Sequence, residues 1–139
     1  MSADKTFVDT NILIYAFTRD ETDKQEIALS VLDQCQPVIS TQVLKEFANV
    51  LLKKGNVGME RVRAVIGEIT EVADIVNEEL TLIVAAFDIC ERYRFSFYDS
   101  LIIAAAINSQ CSVLLSEDLQ DGQIIDNKLK IVDPFRRNR

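Results

Sequence analysis

Thr6-Phe7-Val8-Asp9-Thr10-Asn11, followed directly by Ile12-Leu13-Ile14-Tyr15-Ala16-Phe17, sets the reading of the whole chain. Thr6 to Asp9 reads as a short apolar strand that ends on a carboxylate. Asn11 to Phe17 carries an apolar helical pattern, so strand passes to helix across two polar residues. The same alternation recurs downstream. Lys24 to Gln34 reads as a helix with Ile27, Ala28, Val31 and Leu32 on one face. Pro37 to Ser40 is a second strand. Ser40 or Thr41 caps a helix that runs to about Lys54 and ends at Gly55. Gly58 to Val72 is helical, Asp74 to Val76 is a short strand, and Glu78 to Tyr93 and Asp99 to Ser109 are helices. Cys111 to Leu115 is an apolar strand, Ser116 to Gln123 a polar loop, and Lys130 to Val132 a last strand.

Short apolar strands alternating with helices predict a parallel sheet covered on both faces, a three-layer α/β/α fold with a short central sheet. The 139 residues suit one domain, 1–139, with the basic stretch 135–139 expected to fray. No repeat, linker or low-complexity segment interrupts it. No apolar run is both long and charge-free enough to span a bilayer. Met1 to Lys5 is polar, so no signal peptide is expected. Cys35, Cys90 and Cys111 are odd in number and widely spaced, which suits reduced thiols in a cytoplasmic protein.

The formal net charge is −7, which argues against a general nucleic-acid binder, because such binding neutralises phosphates with Lys and Arg. A nuclease whose acidic site is cancelled by bound cations remains compatible, as does a basic protein partner. With no histidine and no phosphate-cradling glycine loop, hydrolytic chemistry would have to use carboxylates. Clustered carboxylates bind hard divalent cations through oxygen.

Four carboxylates sit where such a site would form. In parallel sheets, sites lie beyond the carboxyl ends of strands. Asp9 ends the first strand; it is also a helix cap, but Thr10 and Asn11 compete for that task. Glu46 lies on the flank of a helix whose buried stripe is Val43, Leu44, Phe47, Val50 and Leu51. By itself it reads as a solvated side chain. Asp99 opens a helix, where it could be a cap only, but it follows Phe95, Phe97 and Tyr98 and is expected in a partly enclosed position. Asp118 and Asp121 stand in an acidic loop, with Asp121-Gly122 a plain turn signal and Glu117 expected to be solvated. Lys45, Lys53, Lys54, Arg92 and Arg94 are candidate phosphate contacts whose default reading is surface charge.

The order strand-end Asp, helical Glu, helix-start Asp, strand-end Asp resembles the PIN-domain nucleases over nearly the whole length. Phe7-Val8-Asp9-Thr10-Asn11 is similar to the family's opening motif, and Glu46 after Ser40-Thr41 to its second. Tyr98-Asp99-Ser100-Leu101-Ile102 is similar to the third, and Ser116-Glu117-Asp118-Leu119-Gln120-Asp121-Gly122 to the fourth. In size the chain resembles the VapC-type toxins of toxin–antitoxin pairs. The resemblance implies a ribonuclease in which Asp9, Glu46, Asp99 and Asp118 or Asp121 cradle Mg²⁺ or Mn²⁺, with Thr10, Asn11 and Ser116 orienting them. Such an ion activates water without a histidine. The resemblance further implies an antitoxin with a basic C-terminal segment and a homodimer. Apolar helices at 24–34 and 61–72 agree with the latter. A PIN-like module that binds protein or RNA without cutting is the alternative. A receiver or an Asp-nucleophile phosphatase ranks lower, since Asn11 stands where the phosphatase needs a second Asp, and four glycines form no dinucleotide fingerprint.

Overall fold

The computed structural model describes residues 4–54 and 56–136. In chain order the elements are β1 (Lys5–Val8), α1 (Thr10–Phe17), α2 (Thr22–Asp33), β2 (Gln36–Ser40), α3 (Thr41–Lys53) and α4 (Met59–Val72). They continue with β3 (Asp74–Val76), α5 (Leu80–Tyr93), α6 (Phe97–Asn108), β4 (Val113–Leu115), β5 (Ile124–Ile125) and β6 (Leu129–Val132). The sheet order is β3-β2-β1-β4-β6-β5. Neighbouring strands run parallel except β5, which is antiparallel to β6.

The strands are short and apolar because both faces are covered. Phe7 and Val8, Val38 and Ile39, and Leu114 and Leu115 are buried as consecutive pairs, with none of the alternation of a half-solvated sheet. Phe7 lies in register between Val38 on β2 and Leu114 on β4, at the middle of the core. From β1 the chain steps outward through β2 to β3, then crosses back to β4 on the other side of β1. Right-handed crossovers therefore put α1 to α4 on one face and α5 with α6 on the other. α1 packs on α2 and α3, α3 on α4, and α5 on α6. In α6 every residue from Ser100 to Ala106 is buried, so its start is held rigidly at the sheet edge.

Most boundaries fall within two residues of the sequence expectation. Gly55, expected to end α3, lies outside the described residues. Two stretches differ. Residues 124–125, given no element from the sequence, form β5, because Asp126 and Asn127 take φ 53° and 57° and make a tight hairpin into β6. Phe135, assigned to the fraying tail, is buried and packs edge-on against Tyr15; residues 137–139 lie outside the described set. Among the described residues no helix is long and apolar enough to cross a membrane.

Candidate active site

β1 lies between β2 and β4, and the chain leaves it in one direction and returns on the other side. That is the switch point where the carboxyl ends of parallel strands open a crevice. Asp9 follows β1 and Ser116 follows β4 at this point. The Asp9 N–H donates to Leu115 O at 3.0 Å, so the two strand ends stay in register up to the site.

The start of α1 is the hub. Asp9 caps the helix, its Oδ1 accepting from the Thr10 N–H at 2.8 Å, while its Oδ2 accepts from Ser116 Oγ at 3.0 Å. Since Asp9 does the capping, Thr10 and Asn11 are left for other partners. Thr10 Oγ1 donates to Glu46 Oε1 at 3.1 Å, and Asn11 Nδ2 donates to Asp118 Oδ2 at 2.9 Å. Three consecutive residues thus tie together acids from β1, α3 and the loop after β4. Glu46 Oε1 also accepts from Gln42 Nε2, one turn earlier in α3, at 3.3 Å.

Asp99 is not a cap. α6 begins at Phe97 and Ser96 caps it, its Oγ accepting from the Asp99 N–H at 3.1 Å. The Asp99 carboxylate is therefore free for another task, half-buried in the first turn of a buried helix. Tyr98 beside it is 65% exposed.

The loop after β4 departs from the sequence expectation at Glu117. Expected in solvent, its carboxylate accepts from Tyr15 Oη at 2.6 Å and pairs with Lys24, whose ammonium lies over the Tyr15 and Phe135 rings. This pairing holds the Lys24 pKa well above its usual value. Asp121 Oδ1 accepts from the Asp133 N–H at 2.9 Å, and Gly122 at φ 88° completes the expected turn. Of the basic residues considered for phosphate, Lys54 pairs with Asp20 and Arg92 with Asp126, while Lys45 lines a cleft beside Glu46. Gln42, Lys24 and Tyr15 were not singled out by the sequence reading. Only Gln42, four residues before Glu46, left a local signal.

Asp9 is 8% exposed, and its pKa is pushed up to about 6. Burial is the main cause. Hydrogen bonds from Thr10 and Ser116 oppose it, and the charges of Asp118 and Asp99 raise it further. Those two carboxylates are therefore close enough to repel Asp9. Among the described residues no group of three or more His, Cys, Asp or Glu side chains forms a ready-made metal cage. The donor set is nonetheless that of a hard cation: all oxygen, two or three carboxylates, and neutral groups behind them. Mg²⁺ is held in this way, by one or two carboxylates and its own waters.

An open α/β sheet with acids gathered at its switch point defines a class of proteins whose site lies beyond the carboxyl ends of the strands. The family comparison narrows it: the PIN domain model matches residues 6–121, and the chain belongs to the PIN domain family. Among curated proteins none matches it by sequence. Its fold is similar to a chain of a toxin–antitoxin complex from Klebsiella pneumoniae, at TM-score 0.73 and 20% identity, covering 94% of this chain and 98% of that one. It is similar to the Mycobacterium tuberculosis toxin VapC20, described as cleaving the sarcin–ricin loop, at TM-score 0.66 and 17% identity, covering 81% and 91%. A third likeness is to VapBC2 from Rickettsia felis, solved on a promoter DNA fragment, at TM-score 0.66 and 18% identity, covering 93% and 99%.

Proposed function

We propose that this chain, one domain over 1–139, is a Mg²⁺- or Mn²⁺-dependent endoribonuclease and the toxin of a type II toxin–antitoxin pair. The observation that carries the reading is the α1 hub, where Asp9, Thr10 and Asn11 are adjacent and are bonded to Ser116, Glu46 and Asp118. Asp9, Asp99 and Asp118 would hold the cation, which supplies positive charge against the phosphodiester and eases ionisation of the attacking water. Asp118 is assigned over Asp121 because Asp118 perturbs Asp9, whereas Asp121 is bonded to the Asp133 backbone. Thr10 and Gln42 both bond Oε1 of Glu46, so Oε2 is the oxygen that takes the proton of the attacking water. Ser116 and Asn11 fix the orientation of Asp9 and Asp118.

Partners follow from charge and fold. A net charge of −7 suits a basic antitoxin segment laid over the acids. The Klebsiella neighbour, described as a toxin–antitoxin complex, supports the same class of partner. Three free thiols suit a reducing, cytoplasmic setting. A groove of about 360 Å³ between α2 and α4, with Leu29 and Val72 exposed at it, supports a homodimer.

The test is RNA cleavage by purified protein in Mg²⁺, Mn²⁺ or EDTA, beside Asp99→Asn. Metal-dependent cleavage that the variant lacks is the expected result. RNA binding with no cleavage in either metal would replace the nuclease by the silent binding module.

A further inference from the structure

The loop after β4 carries two acids in succession, and the fold treats them oppositely. Asp118 is exposed and Glu117 is half-buried. Both are reached from one side of α1, because Asn11 and Tyr15 stand one helical turn apart. Asn11 Nδ2 donates to Asp118 Oδ2 at 2.9 Å, and Tyr15 Oη donates to Glu117 Oε1 at 2.6 Å. Lys24, in the first turn of α2, completes the second contact. Its Nζ donates to Glu117 Oε2 and, at 3.2 Å, to Tyr15 Oη. The ammonium lies 4.7 Å from the centre of the Tyr15 ring and 5.4 Å from that of Phe135, and the two rings meet edge-on at 5.2 Å.

The two restraints differ in strength. The Asn11–Asp118 bond is open to solvent, where water competes for both partners, so by itself it fixes little. The Glu117 contact joins opposite charges on side chains only 18% and 30% exposed, and it ties the loop to two helices at once. The ends of the loop have their own ties, Ser116 to Asp9 and Asp121 to the Asp133 N–H. Glu117 holds the stretch between them, one residue from Asp118. Its pairing also separates the two acids by task. The ammonium already at Glu117 repels a second cation, so Asp118 is the member of the pair offered to one.

We propose that Tyr15, Lys24 and Glu117 are positioning residues for Asp118, holding the loop so that Asp118 rather than Glu117 faces Asp9 and Asp99. The inference rests on the reading of Asp118 as a cation ligand, and one arm of its test uses no metal. In the metal-free protein the Asn11 side-chain amide, followed by NMR, reports whether Asp118 stays in place. Lys24→Met keeps the stem over the rings and withdraws the ammonium; Tyr15→Phe keeps the ring and withdraws the hydroxyl. The double variant, shown to be folded by urea denaturation, should move the Asn11 amide toward its free position. It should also weaken Mn²⁺ binding, measured by calorimetry, about tenfold or more. If the double variant does not fold, Lys24→Met alone is judged by the same two readouts. Lys24→Arg, which keeps the charge and can meet both oxygens of Glu117, should recover most of the affinity. In a Glu117→Ala background, Lys24→Met should change Mn²⁺ affinity by less than about twofold, because Lys24 acts through Glu117. A loss of stability by itself reproduces neither the Arg rescue nor this dependence on Glu117. Wild-type Mn²⁺ affinity or an unmoved Asn11 amide in the folded variant overturns the proposal. So does an equal loss from Lys24→Met with and without Glu117. If the wild type binds no Mn²⁺, the amide decides: displacement keeps the positioning of Asp118 and rejects the metal reading, and an unmoved amide rejects both.

Discussion

Asp9 serves two ends that conflict. It must be buried to cap α1 and to accept from Ser116, and burial among other acids opposes its charge. Its pKa rises from 3.8 to about 6, so between those values the folded protein holds a proton that the unfolded chain releases. Stability from this group is therefore full below about pH 4 and lost as pH rises through 6, by up to about 3 kcal/mol for a shift of about two units. In EDTA, Asp9→Asn keeps a cap oxygen and should be more stable than the wild type at pH 7 but not at pH 4, as read by urea midpoints. Equal pH slopes for the two proteins would reject this account. Saturating Mn²⁺ should reverse the order by raising the wild-type melting temperature and leaving the variant's nearly unmoved. Asn11→Ala removes the bond that orients Asp118, and Ser116→Ala removes the bond to Asp9 together with the one its Oγ accepts from the Leu119 N–H; each should lower metal affinity or cleavage about 10- to 100-fold, measured by titration and initial rates. Asp9, Thr10, Asn11 and Ser116 were legible in the sequence because strand ends and helix starts are local patterns. The bond from Thr41 to Glu78 was not, since it depends on β2 and β3 lying side by side, which no periodicity encodes.

At the scale of elements, α6 is the part that fixes Asp99. Its all-buried run from Ser100 to Ala106 makes it a core helix, and Ser96 supplies its first-turn cap. Ser96→Ala should cost about 1 kcal/mol in chemical denaturation, and Ser96→Asp should restore it. Because the fray would begin at the turn holding Asp99, activity should fall in Ser96→Ala below what its folded fraction explains. Activity proportional to folded fraction would remove the cap from any part in positioning Asp99. Strands β1 to β4 and β6 were readable because each is a compact, largely apolar run bounded by helices or polar loops. β5 escaped notice because two residues carry no period; the clue was Asp126-Asn127, a pair tolerant of positive φ, held further by Arg92 and Tyr93 at the end of α5. Glu117 was misjudged for a related reason. Its partners Lys24 and Tyr15 lie some ninety or more residues earlier and reach it only through the packing of α1 and α2 against the loop.

For the whole molecule, both helical layers leave apolar side chains uncovered. α5 exposes Leu80, Val84 and Phe87, and α2 and α4 leave an apolar groove floored by Leu13, Ile39 and Ile69. Leu29 is 47% exposed at its edge and Val72 71%, side chains that a monomer gains nothing by presenting to water together. A second copy of the chain would bury them without covering the carboxyl ends of the strands, since the groove lies against the helices of one face and the acids lie at the sheet edge. Light scattering at micromolar concentration should therefore give twice the chain mass. Val72→Glu places a charge in that contact and should shift the mass toward one chain while leaving the urea midpoint within about 0.5 kcal/mol at a concentration where both proteins are monomeric. If the wild type weighs as a single chain at that concentration, the groove is not a self-association face. If Val72→Glu remains a dimer, the copies meet elsewhere. The same variant separates assembly from chemistry: metal binding to the acids should persist in it, because no residue of the groove bonds to Asp9, Glu46, Asp99 or Asp118.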